Sequence, residues 1–333
     1  MPDFIAKVKR DNLKIAFVFA LALFAVQMDA ADNSFAQEQE NSQIIPLDPD
    51  FPGGISPSHV FAKVDLLDQT VDRIMRDREV VAPEFPEEIE IGLEPMHVYQ
   101  IMLACNRRLL ELDDKLEVIA VPTISARPRD YAPRDVLLLV ELMLANVRAI
   151  GEELQLDSLP ADETAVQDKV PTDVFHRGVK VFLKLNALCG YERPTPNEVF
   201  AEMIRADEDV RSMLRQLDPA CRYRIDAKVS EEDLKPGDVF EKCLLIRSKL
   251  NNFRTQLGLP AVPVPKMTSR DAILPYDVFL QTQIIIAELN LLKLSRQTIS
   301  ITPLPKPFTD KRPTDVYNRG EMVLFLLNQL NTD

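Results

Sequence analysis

Pro171-Thr172-Asp173-Val174-Phe175 is one of eight copies of a five-residue phrase, and the spacing of those copies decides the fold. The phrase stands earlier as Pro57-Ser58-His59-Val60-Phe61, Pro95-Met96-His97-Val98-Tyr99 and Pro133-Arg134-Asp135-Val136-Leu137, with 38 residues between successive copies. It continues as Pro196-Asn197-Glu198-Val199-Phe200, Pro236-Gly237-Asp238-Val239-Phe240, Pro275-Tyr276-Asp277-Val278-Phe279 and Pro313-Thr314-Asp315-Val316-Tyr317, at steps of 25, 40, 39 and 38. A fixed period of this length marks a repeat architecture.

Each phrase reads as a helix start. Proline suits the first turn, where its missing N–H has no intrahelical partner, and a carboxylate two residues later accepts free N–H groups and faces the positive helix end. Thr195-Pro196-Asn197-Glu198 is a capping box. Behind the phrase an apolar stripe runs at steps of four and three: Val60, Val64, Leu67, Val71 and Ile74 in the first copy, Val136, Val140, Met143, Val147 and Ile150 in the third. The sixth copy reads Val239, Cys243, Ile246, Leu250, Phe253 and the seventh Val278, Thr282, Ile285, Leu289, Leu292. One helix face is thus repeated through the chain.

The connections, such as 121–128 (VPTISARP) and 301–307 (ITPLPKP), carry prolines too closely spaced for a long second helix. A helix of about 20 residues rises roughly 30 Å, whereas about 15 extended residues reach roughly 50 Å, so each connection can return to its own helix start and leave successive helices parallel. The alternative is a short second helix in stretches such as Ser230-Glu231-Glu232-Asp233-Leu234, giving helical hairpins. The fold class expected is all-α: a tandem, solenoid-like array of eight repeats of about 38 residues, each one long helix plus a Pro-rich connection. The 25-residue step leaves only 189–195 (CGYERPT) between helices four and five, and predicts an antiparallel hairpin there. It divides the repeat domain, 56–333, into two groups of four repeats, 57–190 and 194–333.

Residues 1–36 read as a signal peptide: Lys7, Lys9, Arg10 and Lys14, then the apolar run Ile15 to Val26, then Ser34-Phe35-Ala36 with small residues where a peptidase reads. Twelve apolar residues fall short of the roughly 20 of a spanning helix, and no other comparable apolar stretch follows. The expected product, cleaved near Ala36, is periplasmic or secreted without an integral membrane segment, and 37–55 is a flexible leader. The signal segment balances four basic against four acidic residues, so the net charge of -13 stays on the remainder and argues against nucleic acid. With 9 glycines against 25 prolines the chain disfavours Gly-rich phosphate loops.

Candidates for chemistry are few. His59 and His97 occupy the slot held elsewhere by Asp or Glu and share the helix-start role. His176 has no partner at ligand spacing, and no Cys or His spacing suits zinc, so neither metal nor cofactor is expected. Cys105 and Cys243 fall in the apolar stripe; Cys189 and Cys221 flank the fifth helix and are a possible disulfide in an oxidising compartment. An aromatic column follows the motif valine in seven copies, placed for packing under the connections or for a ligand ladder. Asn186, Asn251, Asn290 and Asn328, each twelve residues after a motif valine, are the possible binding residues, as register-fixing amides or a polar groove.

The sequence holds no Gly-x-Ser-x-Gly, His-Glu-x-x-His or phosphate loop. The expectation is a non-enzymatic exported scaffold or adaptor binding another protein of the cell envelope. The alternatives are a periplasmic receptor for a small ligand or peptide in a groove of the array and, third, a carbohydrate-active enzyme on a helical toroid.

Overall fold

In the computed structural model each of the eight phrases opens one long helix: α1 Pro57–Asp77, α2 Pro95–Leu116, α3 Pro133–Glu153, α4 Pro171–Leu188, α5 Pro196–Leu217, α6 Pro236–Gln256, α7 Pro275–Ser295 and α8 Pro313–Gln329. The described residues are 54–330 without 86, 87, 89, 117, 119–123, 125, 126, 162, 163, 221–225 and 268; the expected signal peptide, most of the expected leader and Cys221 lie outside them. Among the described residues there is no strand and no second helix in any connection, so the chain is an all-α repeat array of one helix per repeat.

The third residue of every helix closes its own start. The carboxylates of Asp135, Asp173, Glu198, Asp238, Asp277 and Asp315 accept the backbone N–H three residues earlier at 2.8–3.0 Å. Nδ1 of His59 and of His97 accepts the same bond at 3.0 and 2.9 Å, which is why histidine can stand in that slot. The group bonded is the N–H of the capping residue, outside the helix, rather than one within its first turn. The reach-back fixes the angle at which the extended connection enters.

All eight motif valines are buried, as are the stripes behind them. The motif prolines and valines of α1–α4 ring one small cavity, and those of α5–α8 ring another. Four helices therefore begin at one end of each group and run parallel. Packing joins α1 and α2 each to both α3 and α4, and α5 and α6 each to both α7 and α8, while α1 and α2 face each other across a ring without touching. The repeats thus close into two rings of four instead of stacking in line, and of consecutive helices only α2 with α3 and α6 with α7 pack directly.

Parallel helices require each connection to travel back the length of a helix, and helix side chains hold it on the way. Asn251 of α6 grips Val262 by both its N–H and C=O, at 2.9 and 2.8 Å, while Arg247 and Arg254 donate to the carbonyls of Pro263 and Pro260. The same connection then reaches the start of its own helix: a Cβ on Gly237 would sit 2.4 Å from the Arg270 carbonyl oxygen, so only glycine fits.

The second ring repeats the first position by position. Lys169 N–H donates to Ser58 Oγ at 3.1 Å and Lys311 N–H to Asn197 Oδ1 at 2.8 Å; Leu93 and Leu234 N–H each donate to a threonine, Thr172 and Thr314, at 3.0 Å. Phe61 carries Lys169 and Arg177 against its ring, and Phe200 carries Lys311 and Arg319.

Among the described residues, α2 with α7 is the one helix pair that packs together across the two rings. Helix α7 is long and apolar enough to cross a membrane by length and composition, which corrects the expectation that no comparable apolar stretch follows the N-terminal one; most of it is buried between α5, α6 and α2, and a helix with neighbours on several sides carries apolar residues on several faces.

Replacing a helix-start carboxylate tests the motif. Asp315→Ala should lower unfolding free energy by about 1 kcal/mol in chemical denaturation, with Asp315→Asn losing less. Gly237→Ala should cost more than Asp315→Ala, roughly 1–3 kcal/mol, because the atom in the way is backbone.

Candidate functional site between the two rings

Pairing along α2 and α7 runs in opposite order. His97 Nε2–H donates to Glu288 at 2.8 Å and, one turn along α2, Gln100 meets Gln283 at 2.9 Å, one turn back along α7. The rings therefore point in opposite directions. Arg254 reaches across from α6 to Glu94 and also holds Glu288 at 3.1 Å, while Glu90 receives Arg247 at 2.9 Å and Gln281 at 2.7 Å. Burial pushes the Glu288 carboxyl up, but the His97 hydrogen bond and the Arg254 charge win and hold it below the usual range.

This arrangement explains the short step. Because the C-terminal end of the first ring lies level with the N-terminal end of the second, 189–195 has no helix length to retrace. The expected antiparallel hairpin is corrected accordingly: α4 and α5 run oppositely but do not pack on each other.

Where that short connection passes between the rings, it roofs a cleft of about 500 Å³. Its apolar side is Phe182 and Phe279, stacked at 4.8 Å, with Phe308, Leu304, Pro305 and Pro307. Its polar side pairs guanidinium with carboxylate: Arg107 with Glu202, and Arg108 with Glu198 and, at 2.7 Å, Glu111. Tyr191 donates to Glu111 and lies between Arg108 and Lys115, each 4.7 Å from its ring centre. Burial raises the Glu111 carboxyl, yet the bonds from Tyr191 and Arg108 outweigh it and keep the group below its ordinary value; the Tyr191 hydroxyl is raised by the same bond.

Titratable groups also converge at a second place. His176, Glu88, Glu90 and Asp277 line a cavity of about 20 Å³, where burial raises the Asp277 carboxyl and lowers the His176 imidazole despite Glu88 3.5 Å away. That space holds about one water and no substrate. Among the described residues no three His, Cys, Asp or Glu side chains are placed to hold a metal ion.

The asparagine column is not gathered into one groove. Asn186 is buried and accepts from Arg108, Asn251 is committed to Val262, Asn290 is buried in α7 and Asn328 is exposed; none lines the cleft. Cys189 is buried, its thiol 3.5 Å from the Arg108 carbonyl and raised by burial to about 11. Cys105 and Cys243 lie in the core as read. The aromatic column packs under connections and neighbouring side chains, Tyr99 on Tyr131 at 4.2 Å and Phe200 on Phe308 at 4.9 Å, and Phe279 alone reaches the cleft. Arg107, Arg108, Glu111, Glu198 and Glu202 were missed as a site. The signal available was the irregular step at 189–195, which pointed to a join and not to what lines it.

No family model, characterised protein or solved structure matches this chain.

The join should respond to acid. With its folded-state value lowered, Glu288 contributes stability that is complete above the ordinary glutamate value of 4.5 and is lost as pH falls through the lowered value. Calorimetry of Glu288→Gln should show a loss of about 3 kcal/mol at neutral pH that shrinks below pH 4.5; a loss constant across that window contradicts the assignment.

Proposed function

We propose that this chain is an exported, non-catalytic binding protein that holds a segment of a partner protein in the cleft between its two rings. The observation that carries the reading is the cleft itself: about 500 Å³, assembled from both rings, with an aromatic and proline wall opposite a charged rim. Binding clefts have this size and this mixture of apolar lining with a few placed polar groups. The chemistry of the rim favours binding over catalysis. Its glutamates are tied to guanidinium groups and Tyr191, with Glu111 held below its ordinary value, and no nucleophile stands beside a base among the residues that line the cleft. Export and an envelope location belong to the proposal through the N-terminal sequence. The volume also suits a small ligand, the second reading.

Site-specific crosslinking separates these. A photo-reactive residue at Leu304, on the cleft, should capture a discrete protein partner in a native envelope extract, and the same residue at Leu245, exposed on α6 away from the cleft, should not. Filling the cleft with Ala201→Trp should abolish the Leu304 adduct while leaving the melting temperature within a few degrees. Equal adducts from both positions, or none from Leu304, overturn the protein-binding reading.

A further inference from the structure

The connection that walls the cleft has an unusual surface. After α7 the chain runs along α5 from its C-terminal to its N-terminal end. Thr298 Oγ1 bonds Gln216 at 2.5 Å, Thr302 Oγ1 bonds Asp209 at 2.5 Å, the Phe308 ring meets Phe200, and Lys311 N–H ends on Asn197. The two threonines face inward. Between them Ile299 is 86% exposed and Ile301 41%, with Leu304 at 41% continuing into the cleft. Two isoleucines presented to solvent by an extended, β-branched stretch, Thr298-Ile299-Ser300-Ile301-Thr302, are what a sheet edge would show. Among the described residues, no group hydrogen-bonds the backbone of 299–304.

We infer that 299–302 is a template on which an extended peptide of the partner pairs as an added strand, running on so that its apolar side chains enter the cleft and a basic side chain meets the carboxylate rim. This rests on the cleft being the binding site. Strand addition draws affinity from main-chain bonds and selectivity from pockets at alternate side chains. The segment supplies the N–H and C=O groups of 299–302 before Pro303 ends the run of donors. Cleft residues beyond it supply the pockets. The sign of the ligand follows from charge: three glutamates to two arginines line the cleft, on a chain of net charge -13.

The test uses the full repeat domain and a labelled short peptide of alternating lysine and valine, read by fluorescence anisotropy and by hydrogen exchange at 299–302. Binding should fall roughly tenfold or more when valine alternates with glutamate, when alternate peptide N–H groups of the probe are methylated, and in Ile301→Pro. The proline leaves an already extended, unbonded segment extended and does not alter net charge, so non-specific attraction to an acidic surface would survive it. Peptide bound equally by Ile301→Pro, or without protection of the 299–302 amides, overturns strand addition. So does a dimer of this chain that Ile301→Pro dissociates. A small aromatic amine that binds in place of any peptide and is lost in Ala201→Trp overturns the inference and keeps the cleft. Binding of none of these probes counts against both.

Discussion

Four helices that all begin at the same end of a ring set the terms for the rest of this molecule. Their positive ends gather in one place, which parallel dipoles make unfavourable, and every start carries an acceptor that answers it: a carboxylate in six copies and a histidine nitrogen in two. Parallel direction also obliges the chain to retrace about 30 Å between helices. Extended, proline-rich connections do this without adding a helix, and amides, hydroxyls and guanidinium groups on the helices hold part of their backbone as they pass.

The rings meet in opposite directions, and the site follows from that. Opposed rings let α4 pass to α5 in seven residues, 189–195, and bring the C-terminal half of α2 against the N-terminal ends of α5 and α7. Arg107 and Arg108 then face Glu202 and Glu198 across the join. The join is polar where it is deepest, at Glu90, Arg247, Gln281, His97, Glu288 and Arg254. A buried polar interface specifies one way of docking more than it adds stability.

Much of this was legible in the sequence. The Pro-x-Asp/His/Glu-Val phrase located all eight helix starts, the four-three stripe identified core residues from Val60 to Val316, and proline spacing spoke against a long second helix while leaving a short one at 230–234 open. What stayed hidden depends on which helices touch. A helix stripe says that a face is buried and not by what, so closure into rings of four could not be told from stacking in line. Asn186 and Asn251 share a position in the repeat yet bind an arginine and a backbone segment, because their surroundings come from different neighbours. The cleft drew on four helices and two connections, and of the side chains that give it an aromatic wall and a charged rim only Phe279 and Glu198 belonged to columns that the repeat displayed.

The relative direction of the two rings is the claim from which the cleft derives. Pulsed electron paramagnetic resonance on spin labels at Val170, beside the start of α4, paired with Leu257, just past the end of α6, or with Lys235, just before its start, measures it directly. The account predicts that the 170–257 distance is the shorter, by roughly 10–20 Å, because the roughly 30 Å length of a helix adds in quadrature to the lateral separation. The reverse order would mean that the rings point the same way, and the cleft as described could not exist.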